Sequence, residues 1–194
     1  HVLTMWDGKK GVDINLDTRH VAFGVDATYA VSRDWRLYTI ADNQARAVGE
    51  TGEIVHAATD YTSHHACVSQ RSGGVACTGT NLAGELGTGD TESNTTFTSV
   101  PGISGSQRVA IGAYHSCTLT TAGEVYCWGS NHAGQLGVTL GVVSTEILRG
   151  KSGSKAVVVR DNGANQPNGS MCRLPREVSA RAVPCSLTPV RVTL

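Results

Sequence analysis

Six cysteines are the residues best placed by type and spacing to do chemistry. Cys67 and Cys77 lie ten positions apart across a glycine pair, and Cys117 and Cys127 repeat that spacing. On the two arms of a hairpin it can set both side chains on one face, where Cα atoms roughly 4.5 Å apart accept a bridge. Cys172 and Cys185 remain to staple a later segment. Zinc ligands come in more closely spaced C-x-x-C-type pairs, which are absent, so bridging is expected and a metal is not. Composition alone leaves the pairing open. Disulfides would place the chain in the extracellular space or at a cell surface, with a periplasm or secretory lumen as alternatives.

The other reactive residue types read as structural. His65 and His115 recur at one position of a repeat described below, as a structural hydrogen bond would, and His64 has no cluster of carboxylates for metal binding. Gly102-Ile103-Ser104-Gly105 matches only half of a G-x-S-x-G nucleophile elbow. Gly84 to Asp90 is glycine-rich but lacks the G-K-[ST] ending of a phosphate loop, and Glu85, Asp90 and Glu92 do not follow calcium-loop order. No enzyme activity, cofactor or metal is therefore expected. Two groups are candidates for binding. Trp128, directly after Cys127, either packs between repeats or stacks on a ligand. Arg173, Arg176 and Arg181 lie by the third cysteine pair and either dock on an acidic neighbouring region or grip a polyanion or glycan.

Charge is balanced overall, 16 basic against 16 acidic residues, which removes the positive field of a nucleic-acid binder. It is unevenly placed: positions 42–100 hold seven acids and two bases, positions 149–194 eight bases and two acids. No apolar run approaches the roughly 20 residues that span a bilayer, and the first residues lack the basic and apolar stretches of a signal peptide. Asn94-Thr95-Thr96 and Asn168-Gly169-Ser170 are sequons, usable in a glycosylating host.

The elements that must position these residues are set by a repeat. Residues 112–137, GAYHSCTLTTAGEVYCWGSNHAGQLG, align without gaps on residues 62–87, TSHHACVSQRSGGVACTGTNLAGELG. A degenerate copy at 24–49 has Tyr29 and Thr39 at the cysteine positions. In each copy alternating residues, a glycine turn and a second β-type run predict a hairpin, and Asn-x-Ala-Gly-x-Leu-Gly predicts a compact turn. Short apolar segments such as Val21-Ala22-Phe23 and Val109-Ala110-Ile111 precede the hairpins. Small sheets at this period suggest propeller blades.

The segments Tyr-His-Ser-Cys-x-Leu, Gly-x-Val-x-Cys-Trp-Gly-x-Asn and Gly-Gln-Leu-Gly resemble the repeat of the regulator of chromosome condensation, in its bacterial-style, cysteine-containing form. The resemblance covers roughly residues 19–137 and implies an all-β propeller, normally closed by seven blades. Related propellers serve as exchange factors, chromatin binders, enzyme inhibitors and surface proteins, so the resemblance speaks to fold more than to activity. The expected organisation is a partial blade or N-terminal extension at 1–18, three repeats at 19–137, an inserted loop region at 138–187 with Lys155–Arg160 as a strand, and the start of a further blade at 188–194. Three hairpins cannot close seven blades, so the chain reads as a fragment, as a protomer completed by neighbours, or as a small closed ring. The expected function is a secreted, non-enzymatic module that binds itself, as a homo-oligomer or filament, or another extracellular protein. An inhibitor of an extracellular enzyme and a glycan- or polyanion-binding surface protein are the alternatives; no nucleic acid and no membrane span are expected.

Overall fold

The computed structural model describes residues 2–6, 11–62, 64–138, 140, 145–149, 155–159, 170–173 and 182–192, which are all strand, turn or irregular. The first sheet contains β1 (Val2–Trp6), β2 (Gly11–Phe23), β3 (Thr28–Ser32), β4 (Leu37–Ala41) and β5 (Gln44–Ala47), paired in that order. The second contains β6 (Ile54–Thr59), β7 (His65–Gln70), β8 (Val75–Gly79) and β9 (Asn94–Ser99), again in chain order. The third begins with β10 (Ser106–Gly112), β11 (His115–Thr120) and β12 (Val125–Ser130). A separate hairpin of β13 (Thr145–Arg149) and β14 (Lys155–Val159) follows. Then β15 (Ser170–Arg173) and β16 (Ala182–Arg191) return to the third sheet, giving the order β10-β11-β12-β16-β15. All pairings are antiparallel, and each of the three larger sheets carries the four adjacent strands of a propeller blade, the fourth strand of the third being β16.

The repeat dictates the local geometry. Gly73 and Gly123 turn the second and third hairpins at φ 92° and 79°, a region closed to most side chains. In the first hairpin Trp35 holds that position at φ 67°, with the Arg19 guanidinium 3.6 Å from its ring centroid. The recurring asparagine acts as an internal brace. Asn81 Oδ1 accepts the Leu86 N–H at 2.9 Å while its Nδ2 donates to the carbonyls of Asp90 and Glu92. Asn131 likewise accepts from Leu136 N–H at 3.0 Å and donates to the Val138 carbonyl.

Three sequence expectations change. The compact turn expected after the first hairpin is replaced by β5, because Asp42 and Asn43 both take positive φ and turn the chain straight back into a strand. Arg46 occupies the place of Gly84, whose φ of 78° the turn needs. The start of the chain, expected as a partial blade or an N-terminal extension over 1–18, is continuous with the first blade and forms no blade of its own: β1 pairs with the first half of β2, and a register shift between Thr18 and His20 marks the passage to the blade proper. The segment at 188–192, expected to open a further blade, completes the third one. Val192 N–H donates to the Val125 carbonyl as Val100 N–H does to that of Val75, so β16 is the counterpart of β9. Arg160 lies outside the described residues.

Candidate functional site

Opposite faces of neighbouring blades meet, and the meeting of the second and third shows what a blade face requires. Cys67, Val75, Cys77, Leu86 and Val100 of the second blade form one half of a core. Val109 and Trp128 of the third blade fill the other half, with Ile103 and Ile111 beside them. Trp128 is fully buried, and its Nε1–H donates to the Glu85 backbone carbonyl at 2.8 Å. The Ser116 hydroxyl donates to the same carbonyl at 2.9 Å, and His65 Nε2 lies 2.9 Å from Ser116 Oγ. With the serine proton committed to Glu85, His65 must donate its Nε2–H, and its Nδ1 is left with a lone pair that meets no partner among the described residues. A second polar chain, Ser69 to Ser106 to Thr118, crosses the same interface with 2.7 Å links and ends on the Arg108 carbonyl.

This contact has the elements of a serine–histidine couple but not its access. Ser116 is 0% exposed and His65 3%, so no substrate reaches either. Burial lowers the His65 pKa to about 4, with Asp60 opposing and His115 reinforcing the shift. Glu85 is also fully buried. Its Oε2 accepts the Ala83 N–H at 2.6 Å, and burial pushes its carboxyl above the ordinary 4.5 despite that bond. The equivalent Gln135 makes the same contact to Ala133 N–H with an amide oxygen.

The third blade presents an equivalent half-core without the second half. Cys117, Val125, Cys127, Leu136 and Val192 are the counterparts of Cys67, Val75, Cys77, Leu86 and Val100, and they cluster with Leu140, Val138 and Val190. No described residue takes the part of Trp128 or Val109 there. Cys117 and Val125 are only half-buried, whereas Cys67 and Val75 are sealed. A cavity of about 400 Å3 opens on this face, lined by Arg108, Ala110, Cys117, Leu119 and Val125 together with His56. At the other end, Ile14 and Leu16 of β2 and Leu3 of β1 pack on Ala30 and Ile40, covering the outward face of the first blade. Among the described residues, the outward face of the first blade is therefore covered and that of the third has no second half.

An inner row of basic side chains escaped the sequence reading. His20, His56 and Arg108 occupy the same register on the first strands of the three blades, each just after a register shift. The His20 and His56 rings stack at 4.1 Å, and His20 Nε2–H donates to the Ala57 carbonyl. Burial, followed by the charges of His20 and Arg108, lowers the His56 pKa to about 4. His20 and Arg108 share one spacing to their partners Val31 and Leu119, but His56 stands two residues farther from Ser69, so sequence offset alone does not align the three.

Of the residues singled out in sequence, Cys67 is bonded to Cys77, Cys117 to Cys127 and Cys172 to Cys185, with Cα separations of 4.1, 4.1 and 5.9 Å. The first two bridge directly opposed residues of β7–β8 and β11–β12, and the third joins β15 to β16. Three bonds of this kind point to an oxidising, extracellular-type environment. Trp128, considered as a ligand-stacking residue, has no exposed face left, because the second blade encloses it. Arg173 pairs with Ala182 through its backbone, and its side chain, Arg176 and Arg181 lie outside the described residues, as does Asn168. Asn94 stands half-buried on β9, its Nδ2 donating to Thr98 Oγ1. Among the described residues no group of three or more metal-ligating side chains occurs, and no helix is long and apolar enough to cross a membrane.

No curated protein matches the chain. Among solved structures, Prp20p from Saccharomyces cerevisiae, described with its binding to Gsp1p and histones, superposes with a TM-score of 0.59 at 14% identity, covering 96% of this chain and 41% of its own. Yeast RCC1 (Prp20) bound to Kap60 gives 0.54 at 16%, covering 66% and 36%, and human WBSCR16 gives 0.53 at 23%, covering 66% and 39%. The chain thus spans about 36–41% of the length of the propellers it resembles. Residues 107–135, which run through the third blade to the residue before Leu136, match the regulator of chromosome condensation (RCC1) repeat. That segment is therefore similar to the repeat of the regulator of chromosome condensation family, in an all-β chain whose fold resembles that of these propellers.

Proposed function

We propose that the chain is a secreted, non-enzymatic protein-interaction module whose docking surface is the open face of the third blade. The observation that carries the reading is the half-core itself: Cys117, Val125, Cys127, Leu136 and Val192 repeat the residues that receive Trp128 and Val109 one blade earlier, and Cys117, Val125 and Val192 stay half-buried with no described blade beside them. An apolar face of this kind in water favours a partner that buries it. The partner with the matching shape is another blade, bearing a large aromatic at the position of Trp128 and a hydroxyl at that of Ser116, presented by a second copy or by another extracellular protein. The yeast relatives are described with protein partners, which supports an interaction role. The disulfides support a compartment outside the cytosol.

Sedimentation across a concentration series tests the reading, with Val125→Glu as the variant. The wild type is expected to associate and the variant to stay monomeric, with an unchanged circular dichroism spectrum. A wild type that stays monomeric at every concentration and retains no partner from extracellular fluid, or a longer native polypeptide whose own next blade covers Val125, overturns docking in trans.

A further inference from the structure

The interface between the first and second blades lacks the groups that fill the next one. Thr78 stands at the position of Trp128, Ala66 at that of Ser116, and Thr59, opposite Ala66, at that of Ile111, opposite Ser116. A Cβ added to Gly87 would lie 2.8 Å from Trp128 Cδ1 and Nε1, whereas one added to the equivalent Gly49 would meet nothing within 4 Å. A cavity of about 410 Å3 opens between these two blades, lined by Tyr29, Thr59, His65, Ala66 and Thr78, with Asp26 at its rim. The volume suits an organic group.

Two hydroxyls of the lining have already given up their protons. Thr59 gives its hydroxyl proton to the His65 carbonyl at 3.1 Å, and Thr78 gives its own to the Asn94 carbonyl at 2.9 Å, so both retain lone pairs only. The Asp26 carboxylate, also in the lining, lies 2.7 Å from His64 Nδ1. Tyr29, edge-on to Phe97 with ring centroids 5.9 Å apart, supplies an aromatic wall. A guest with an apolar, planar body and a hydrogen to donate can use this wall and the Thr59 and Thr78 lone pairs, as the indole that fills the neighbouring interface uses the Glu85 carbonyl.

We propose that this cleft receives an aromatic side chain with an N–H or O–H, an indole or a phenol, presented by a protein partner. Only the source of the aromatic rests on the interaction reading above, since the cleft can be tested with the free ring. Indole, phenol and benzene are titrated against the 194-residue chain, with the amide resonances of Ala66 and Thr78 followed by nuclear magnetic resonance. Indole is expected to give saturable shifts at both, and benzene to bind about fivefold more weakly for want of a hydrogen bond. Thr78→Trp, which restores the residue of the third blade, is expected to weaken indole binding at least about tenfold while keeping the melting temperature equal or higher. Thr78→Met narrows the same cleft with a flexible side chain and is expected to weaken binding if the tryptophan variant does not fold. A tryptophan-bearing peptide should compete with indole, and its alanine version should not. The absence of saturable shifts with indole, equal binding by the narrowed variants, or competition by the alanine peptide overturns the proposal. Val125→Glu should leave indole binding unchanged, so cleft and open face stand or fall separately.

Discussion

Trp128 hands its indole proton to the Glu85 backbone carbonyl at 2.8 Å, and this bond joins the third blade to the second at the centre of their shared core. Both the bond and the buried ring contribute. Trp128→Ala should cost about 3–5 kcal/mol in urea unfolding through the cavity it leaves. Trp128→Phe keeps most of the apolar volume and removes the donor, so a smaller loss of about 1–2 kcal/mol is expected. Equal losses for the two variants would show that the hydrogen bond, and not the packing, dominates.

Glu85 carries a carboxyl where the third blade has the amide of Gln135. Its folded pKa is raised above the ordinary 4.5 by burial, so its contribution to stability is full below that value and declines as pH rises through the folded pKa. Glu85→Gln keeps the acceptor for Ala83 N–H without a charge to bury. Its urea midpoint should exceed that of the wild type at pH 8, and the gap should close towards pH 4.

His65 acts on the other limb of the profile. Burial holds its folded pKa near 4, below the ordinary 6.5, so the unfolded chain binds the proton more readily and stability falls as pH drops from 6.5 towards 4. The largest loss this single group can produce is about 3 kcal/mol. Asp60 pulls the shift back and His115 adds to it. In His65→Gln, whose side-chain amide can donate to Ser116, this acid-side decline should be shallower. Denaturant midpoints at several pH values check it, and a slope equal to wild type assigns the acid sensitivity to other groups such as His56.

The two repeat disulfides are chemically alike and differ in surroundings. Cys67 and Cys77 are both 0% exposed beneath the third blade, while Cys117 is half-buried on the open face. Thiol exchange needs an approach to sulfur, so mild reductant should open Cys117–Cys127 before Cys67–Cys77. Alkylation and peptide mass analysis report the order. Any partner seated on the open face should slow the first step specifically.

What was legible from the residues is what depends on neighbours close along the chain. The ten-residue cysteine spacing, the glycines at the hairpin tips and the asparagine of each compact turn act within one hairpin or the loop after it, where sequence separation and spatial separation nearly coincide. The degenerate first copy exposed the limit of that logic: Asn43 kept its place in the alignment, but without a glycine to match Gly84 the chain ran on as a strand. Tertiary structure alone decided the relations between blades. It placed β16 on β12 across a long intervening segment, laid Ile14 and Leu16 over the first blade, sealed Trp128 from solvent and left Thr78 beside a cavity. Alternation along a strand marks the two faces of a sheet, but whether a face is covered depends on the volume and hydrogen-bonding groups of whichever sheet arrives beside it, and those belong to residues far away in the chain.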